Sequence, residues 1–111
     1  MPSSDTNRVL AVIAHNIELA YRFVGTMSVE DLAEDEFTFY AVTRCLEIIS
    51  EASRRLPADF KHPHPEVPWK KIAGAGNIYR HDYEDVVARL VWMTVRERLA
   101  ELESAVRAEL S

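Results

Sequence analysis

The sequence predicts an all-α protein, an antiparallel bundle of four main helices with a proline-rich loop between the second and the third. Three observations carry this reading. Apolar residues recur at spacings of three and four along most of the chain. No segment reads as a strand, and there is no internal repeat or low-complexity tail. Of the prolines, Pro57, Pro63, Pro65 and Pro68 fall close together, which concentrates the helix-breaking positions in one loop. At 111 residues, the whole chain (1–111) is expected to form one domain, long enough for a single core and too short for two.

The first helix is expected from Asn7 to about Met27, where Leu10, Ile13, Ile17, Ala20, Tyr21 and Val24 share a face, with Asp5 or Thr6 as its cap. Ser28 to Leu32 is a short acidic connection in which Ser28 is placed to cap a helical turn. The second helix is expected from Asp35 to Leu56. At 100° per residue, its Ala41, Val42, Cys45, Leu46, Ile48, Ile49, Ala52 and Leu56 fall within an arc of roughly 160° and form a buried flank. The other flank carries Tyr40, Arg44, Glu47 and Glu51 at steps of four, three and four. This polar stripe reads either as a solvated face with intrahelical ion pairs or as a surface turned across the bundle toward Arg80 and His81.

The proline loop follows, and His62 and His64 lie in it. A His-x-His pair binds metal when further ligands converge, but none stands at helix spacing nearby, so an exposed loop is expected. Pro68 suits the first turn of a third helix running to about His81. Gly74 and Gly76 weaken that helix by up to about 1 kcal/mol each relative to alanine, and they let another backbone or a phosphate approach closely. After an acidic connection from Asp82 to Asp85, the helical pattern resumes at Val86 and runs to the end. Its core stripe is Val87, Val91, Val95, Leu99, Leu102 and Val106. Val86, Leu90 and Met93 form a second apolar stripe, which reads either as contact with another subunit or as cover for the first helix.

Composition excludes several function classes. A net charge of −5 argues against a protein that coats nucleic acid through its overall field. Nucleic acid would have to be met locally, by a patch drawn from Arg44, Arg54, Arg55, Lys70, Lys71, Arg80 and Arg89 if the fold gathers them. The single cysteine, Cys45, excludes an internal disulfide and a multi-thiolate zinc site within one chain, and favours the cytoplasm. No apolar run approaches the ~20 residues needed to span a bilayer, and the first residues lack the parts of a signal peptide. Gly74-Ala75-Gly76 lacks the third glycine and the preceding strand of a dinucleotide fingerprint. No metal or cofactor is expected.

The stretch from Trp69 to Tyr83 holds Asn77, Arg80, His81 and Tyr83 within seven residues. A guanidinium holds phosphate through its planar fork. An imidazole moves protons near neutral pH. Together these groups suit metal-free chemistry on a phosphodiester. The plainer reading of a lone histidine near a helix end is a cap or a surface residue.

The run Glu47-Ile48-Ile49-Ser50-Glu51-Ala52-Ser53-Arg54-Arg55-Leu56-Pro57, then Val67-Pro68-Trp69, then Ile72-Ala73-Gly74, then Asn77-x3-His81-x-Tyr83 resembles the HepT family of HEPN-domain toxins in order and spacing, over nearly the whole chain. The resemblance implies a HEPN-like helical bundle acting as a dimeric, metal-independent ribonuclease, paired with a MntA-type minimal nucleotidyltransferase antitoxin. It implies that His81 is the catalytic histidine, Asn77 a polar residue that orders the site, and Tyr83 the tyrosine that the antitoxin modifies with AMP. The family motif is an arginine, four intervening residues, a histidine, any residue and a tyrosine. Here Gly76 occupies the arginine's place and Arg80 is the nearest arginine. The displacement of four residues amounts on a helix to about 6 Å along the axis and about 40° around it, within an arginine's reach.

The expected chemistry is attack of a ribose 2′-hydroxyl on the adjacent phosphate of RNA, with Arg80 stabilising charge on the phosphorane and His81 moving a proton. A twofold dimer, which could assemble further, would bring two histidines and two arginines to one cleft. Glu47 or Glu51 would orient the imidazole or screen the arginine, with Arg44 on the same polar face. The alternative is an inactive module of the same fold that docks the nucleotidyltransferase or a nucleotide.

Overall fold

A computed structural model describes residues 3–81 and 85–110, the side chains of residues 77–86 excepted. Among the described residues seven α-helices follow one another: α1 (Ser4–Val24), α2 (Val29–Glu34), α3 (Glu36–Ser53), α4 (Ala58–Lys61), α5 (Trp69–His81), α6 (Asp85–Met93) and α7 (Leu99–Leu110). A π-helical stretch, Thr94–Arg98, joins the last two into one rod. The long pieces are therefore α1, α3, α5 and the rod from α6 to α7, the expected four-helix bundle, and no strand occurs among the described residues.

The cap of α1 is Ser3, not Asp5 or Thr6: its Oγ accepts the Thr6 amide at 3.1 Å. Asp5 falls instead in the first turn, where its charge suits the helix dipole. The helix ends at Val24 because Gly25 takes a left-handed φ of 51° and donates its amide to the Tyr21 carbonyl at 2.8 Å. Where a connection was expected, α2 is a six-residue helix. A reciprocal capping box starts it, with Ser28 Oγ accepting from the Asp31 amide and Asp31 Oδ2 from the Ser28 amide, each at 3.1 Å. Its Leu32 is fully buried, and the helix packs on α6.

Asp35 caps α3 by accepting the Thr38 amide at 3.0 Å, a bond that holds its carboxyl below the usual carboxylate range. Val42, Cys45, Leu46, Ile49, Ala52 and Leu56 are buried, whereas Ala41 and Ile48 are only half-buried. The helix stops at Ser53 rather than Leu56, since Arg54, Arg55 and Leu56 donate to carbonyls three residues back and tighten into a turn. Burial raises the Cys45 thiol above its ordinary pKa, so it stays protonated and unreactive.

The proline segment contains the single turn α4 and folds back on itself. Phe60 is buried and meets the edge of Trp69 at 5.9 Å and the His64 ring at 5.3 Å. His64 is consequently not an exposed loop residue. Its Nδ1 lies 3.5 Å from Glu66 Oε1 and its Nε2 3.4 Å from Glu109 Oε1, which clasps the loop to the end of α7. His62 stays exposed.

The expected core stripe of the last helix is buried from Val87 to Val106. From Val87 to Leu99 its members step by four, and each such step overshoots a regular turn by 40°, about 120° in all. The π-helical stretch widens the turn and absorbs that drift, keeping Val87 and Leu99 on one face. Thr94 helps to form it by donating its hydroxyl to the Leu90 carbonyl at 2.7 Å. Trp92 and Arg96, on the same rod, donate to the carbonyls of Met27 at 2.8 Å and Gly25 at 2.6 Å, which fixes the α1–α2 turn.

Candidate active site

The segment that carries the candidate chemistry is the second half of α5, and its position is set by α3. Trp69 opens the helix directly after Pro68, with its indole N–H donated to the His64 carbonyl at 3.0 Å. One turn further, the Ala73 carbonyl accepts Ser50 Oγ at 3.0 Å, Arg54 Nε at 3.0 Å and Arg54 Nη2 at 2.6 Å. Ser50 Oγ in turn accepts the Gly76 amide at 3.2 Å. These bonds hold α5 on α3 immediately before Asn77, and His81 lies two turns beyond Ala73, about 12 Å along the axis.

The same seam explains the glycine. A Cβ on Gly76 would stand 3.0 Å from Ser50 Oγ, whereas one on Gly74 would meet nothing within 4 Å. The close neighbour that Gly76 admits is α3, and the position expected of the family's arginine is occupied by a helix contact. Gly74 instead faces open space.

Of the candidate residues, Asn77, Arg80 and His81 lie on the described backbone of α5, while their side chains and Tyr83 lie outside the described residues. Arg44, Glu47 and Glu51 are described. Arg44 reaches Glu47 at 4.0 Å, and Glu51 reaches Arg54 at 3.6 Å. Arg44, Glu47 and Glu51 also line a shallow groove of about 200 Å³ with Val12 of α1 and Arg55. The stripe of Tyr40, Arg44 and Glu51 therefore turns toward α1 and solvent.

The face of α3 that meets α5 is offset from it and is built around Ser50 and Arg54. Thr43 stands seven residues before Ser50 and shares its face; it is buried, and its hydroxyl finds no hydrogen-bond partner among the described residues. Glu47, side chain 19% exposed, lies at the border of the two faces. Sequence reasoning missed Thr43, and it named Ser50 only within the family run and Arg54 only there and as a candidate for a basic patch, without the seam they form. The signal was the same spacing of four, three and four from residue 43 to 54, masked because two of those side chains are small hydroxyls among core residues.

Among the described residues, Arg44, Arg54, Arg55 and Lys71 do not form one patch. Arg54 is committed to Ala73, Arg44 and Arg55 border the α1 groove, and Lys71 lines a separate, mostly apolar groove of about 390 Å³ between α3, α5 and the last helix. Leu90 lines that same groove, so one member of the second apolar stripe faces the interior of a cleft. Met93 is half-buried, and the Val86 side chain lies outside the described residues. Among the described residues no group of three or more His, Cys, Asp or Glu is placed to hold a metal ion, and no helix is long and apolar enough to cross a membrane.

Ser50→Ala is expected to cost about 1–2 kcal/mol in urea unfolding, because it deletes both a donor and an acceptor in a buried seam. A loss below a few tenths of that, with α5 equally protected in hydrogen exchange, would show that Arg54 alone holds the helix.

The family described as ribonuclease HepT-like matches residues 13–109. Among curated proteins, the chain is 43% identical over 91 residues to one of Thermococcus cleftensis named "Probable ribonuclease HepT", covering 82% of this chain and 83% of that one. A protein of Caldanaerobacter subterraneus subsp. tengcongensis named as a "Putative RNase" is 38% identical over 95 residues, covering 86% and 85%. Another of Methanocaldococcus jannaschii, also named "Putative RNase", is 31% identical over 103 residues, covering 93% and 85%. No solved structure matches.

Proposed function

Since this chain belongs to the HepT-like ribonuclease family, we propose that it is a metal-independent endoribonuclease toxin whose site is built on the second half of α5. The observation that supports this most is the seam itself. Ser50 and Arg54 hold α5 at Ala73 and Gly76, so that the Asn77–His81 turn starts from a rigid base. In this reading the 2′-oxygen of a ribose attacks the neighbouring phosphorus and the bond to the 5′-oxygen breaks. A 2′,3′-cyclic phosphate and a 5′-hydroxyl result. The proton lost by the 2′-hydroxyl and the proton gained by the leaving oxygen are handled by His81 imidazoles, one from each protomer of a twofold dimer. Arg80 neutralises the phosphorane, and Asn77 and Glu47 order the site.

Regulation is assigned to Tyr83, adenylylated by a MntA-type nucleotidyltransferase. AMP there would put phosphate beside Arg80 in sequence, and the guanidinium would pair with it in preference to substrate. The rival reading, a docking module without cleavage, draws on Gly76 at the arginine's place, where a Cβ would stand 3.0 Å from Ser50 Oγ and require that side chain to give way.

Cleavage of RNA by highly purified protein in excess chelator tests the enzyme reading, and binding of the nucleotidyltransferase without cleavage would favour the module. Incubation with the partner, ATP and Mg²⁺ is expected to add one AMP by intact mass and to silence cleavage, while Tyr83→Phe stays unmodified and active. No added mass, or the same added mass on Tyr83→Phe, would remove the regulatory assignment.

A further inference from the structure

Two exposed features of this chain are complementary to each other. The first is Phe37, on the opening turn of α3, which is 92% exposed and so the most exposed large apolar side chain described. The Ser28–Asp31 capping box and the Asp35 cap fix the backbone of the junction between α2 and α3, from which it projects. Asp31, Glu34, Asp35 and Glu36 surround it. Held in water amid four carboxylates, this aromatic side chain buries almost no apolar surface within one chain.

The second feature is the groove of about 390 Å³ between α3, α5 and the last helix. Its walls are apolar, including Leu46, Ile72, Leu90 and Leu102, and its cations are Lys71 and Arg98. No ion pair engages Lys71 or Arg98 among the described residues. The groove is kept open by two local choices. Gly74 leaves its Cβ position empty, and the π-helical stretch sets Thr94, Arg98 and Leu99 along the other side.

We propose that the groove receives Phe37 of a second copy of this chain, with the carboxylates beside Phe37 facing Lys71 and Arg98. Apolar knob meets apolar socket, and acidic rim meets basic rim. Each protomer carries one knob and one socket, so a twofold axis makes the contact twice, with each Phe37 in the groove of the other copy. It rests on the reading that the chain self-associates and specifies a surface for that association.

Sedimentation velocity of the full chain over a range of concentrations tests this. The wild-type protein is expected to associate, and Phe37→Asp and Gly74→Leu are each expected to weaken that association at least about tenfold. Both variants should fold, since the first residue is solvent-exposed and the second has room for a side chain. An equimolar mixture of the two is expected to regain pairing, because Gly74→Leu retains the knob and Phe37→Asp the socket. Lys71→Glu is expected to weaken association and Lys71→Glu with Glu36→Lys to recover it. A wild type that is monomeric throughout overturns both this contact and the self-association reading. Association unchanged in both single variants, or a mixture that fails to pair, overturns this contact alone.

Discussion

His81→Ala is expected to lower the rate of RNA cleavage by roughly 10²–10⁴, the usual contribution of a positioned proton-transfer group. The substitution falls on the last described residue of α5, two turns beyond the bonds of Ser50 and Arg54 to Ala73. The seam that positions the helix does not involve His81, so the variant should keep the helical content and unfolding midpoint of the parent. Arg80→Ala is expected to lose a comparable factor by leaving the phosphorane charge uncompensated. Cleavage should be followed with a defined oligonucleotide in chelator, and the cyclic phosphate end identified by mass. If purified His81→Ala cleaves as fast as the parent, the assignment of the imidazole is wrong. A loss of activity accompanied by loss of the fold would instead place His81 in the structure.

Leu32→Ala is expected to destabilise the protein by about 2–5 kcal/mol, the range for emptying a fully enclosed leucine site. Its side chain is completely buried and is the one buried residue of α2. A helix of six residues has no stability of its own, so α2 persists through its capping box and through packing on α6. Removing Leu32 should therefore release α2 first. Urea unfolding would read the total loss, and hydrogen exchange should show amides of α2 deprotected ahead of those in α1. A loss under about 1 kcal/mol would mean that the capping box and the bonds of Trp92 and Arg96 carry the junction.

Much of this architecture was legible in the residues. The face of α1 apart from the half-buried Tyr21, the flank of α3 through Val42, Cys45, Leu46 and Ile49, and the stripe from Val87 to Val106 are buried as their spacing required. Pro68 marked the start of α5, and Ser28 marked a capped turn. These features are local: each depends on the few residues of one or two turns, so periodicity and capping chemistry reveal them. The polar stripe was less legible. Its spacing identified Tyr40, Arg44, Glu47 and Glu51 as one surface, but the residues that bind α5 are Ser50 and Arg54, roughly a sixth of a turn or more away. Amphipathic spacing tells which residues share a face and not which neighbour that face will meet.

The sequence by itself determined the class of fold, the four long helices and the order of the candidate residues along α5, because the hydrophobic effect acts on a periodicity written in the chain. Its family motif also placed the chain among HepT-like ribonucleases, in agreement with the match over residues 13–109. Tertiary structure alone decided that Gly76 is a seat for Ser50, that His64 clasps Glu109 across 45 residues, and that a widened turn at Thr94–Arg98 keeps the last helix in register with its core. Each of these depends on a distance between segments remote in the chain, which exists only once the helices have docked.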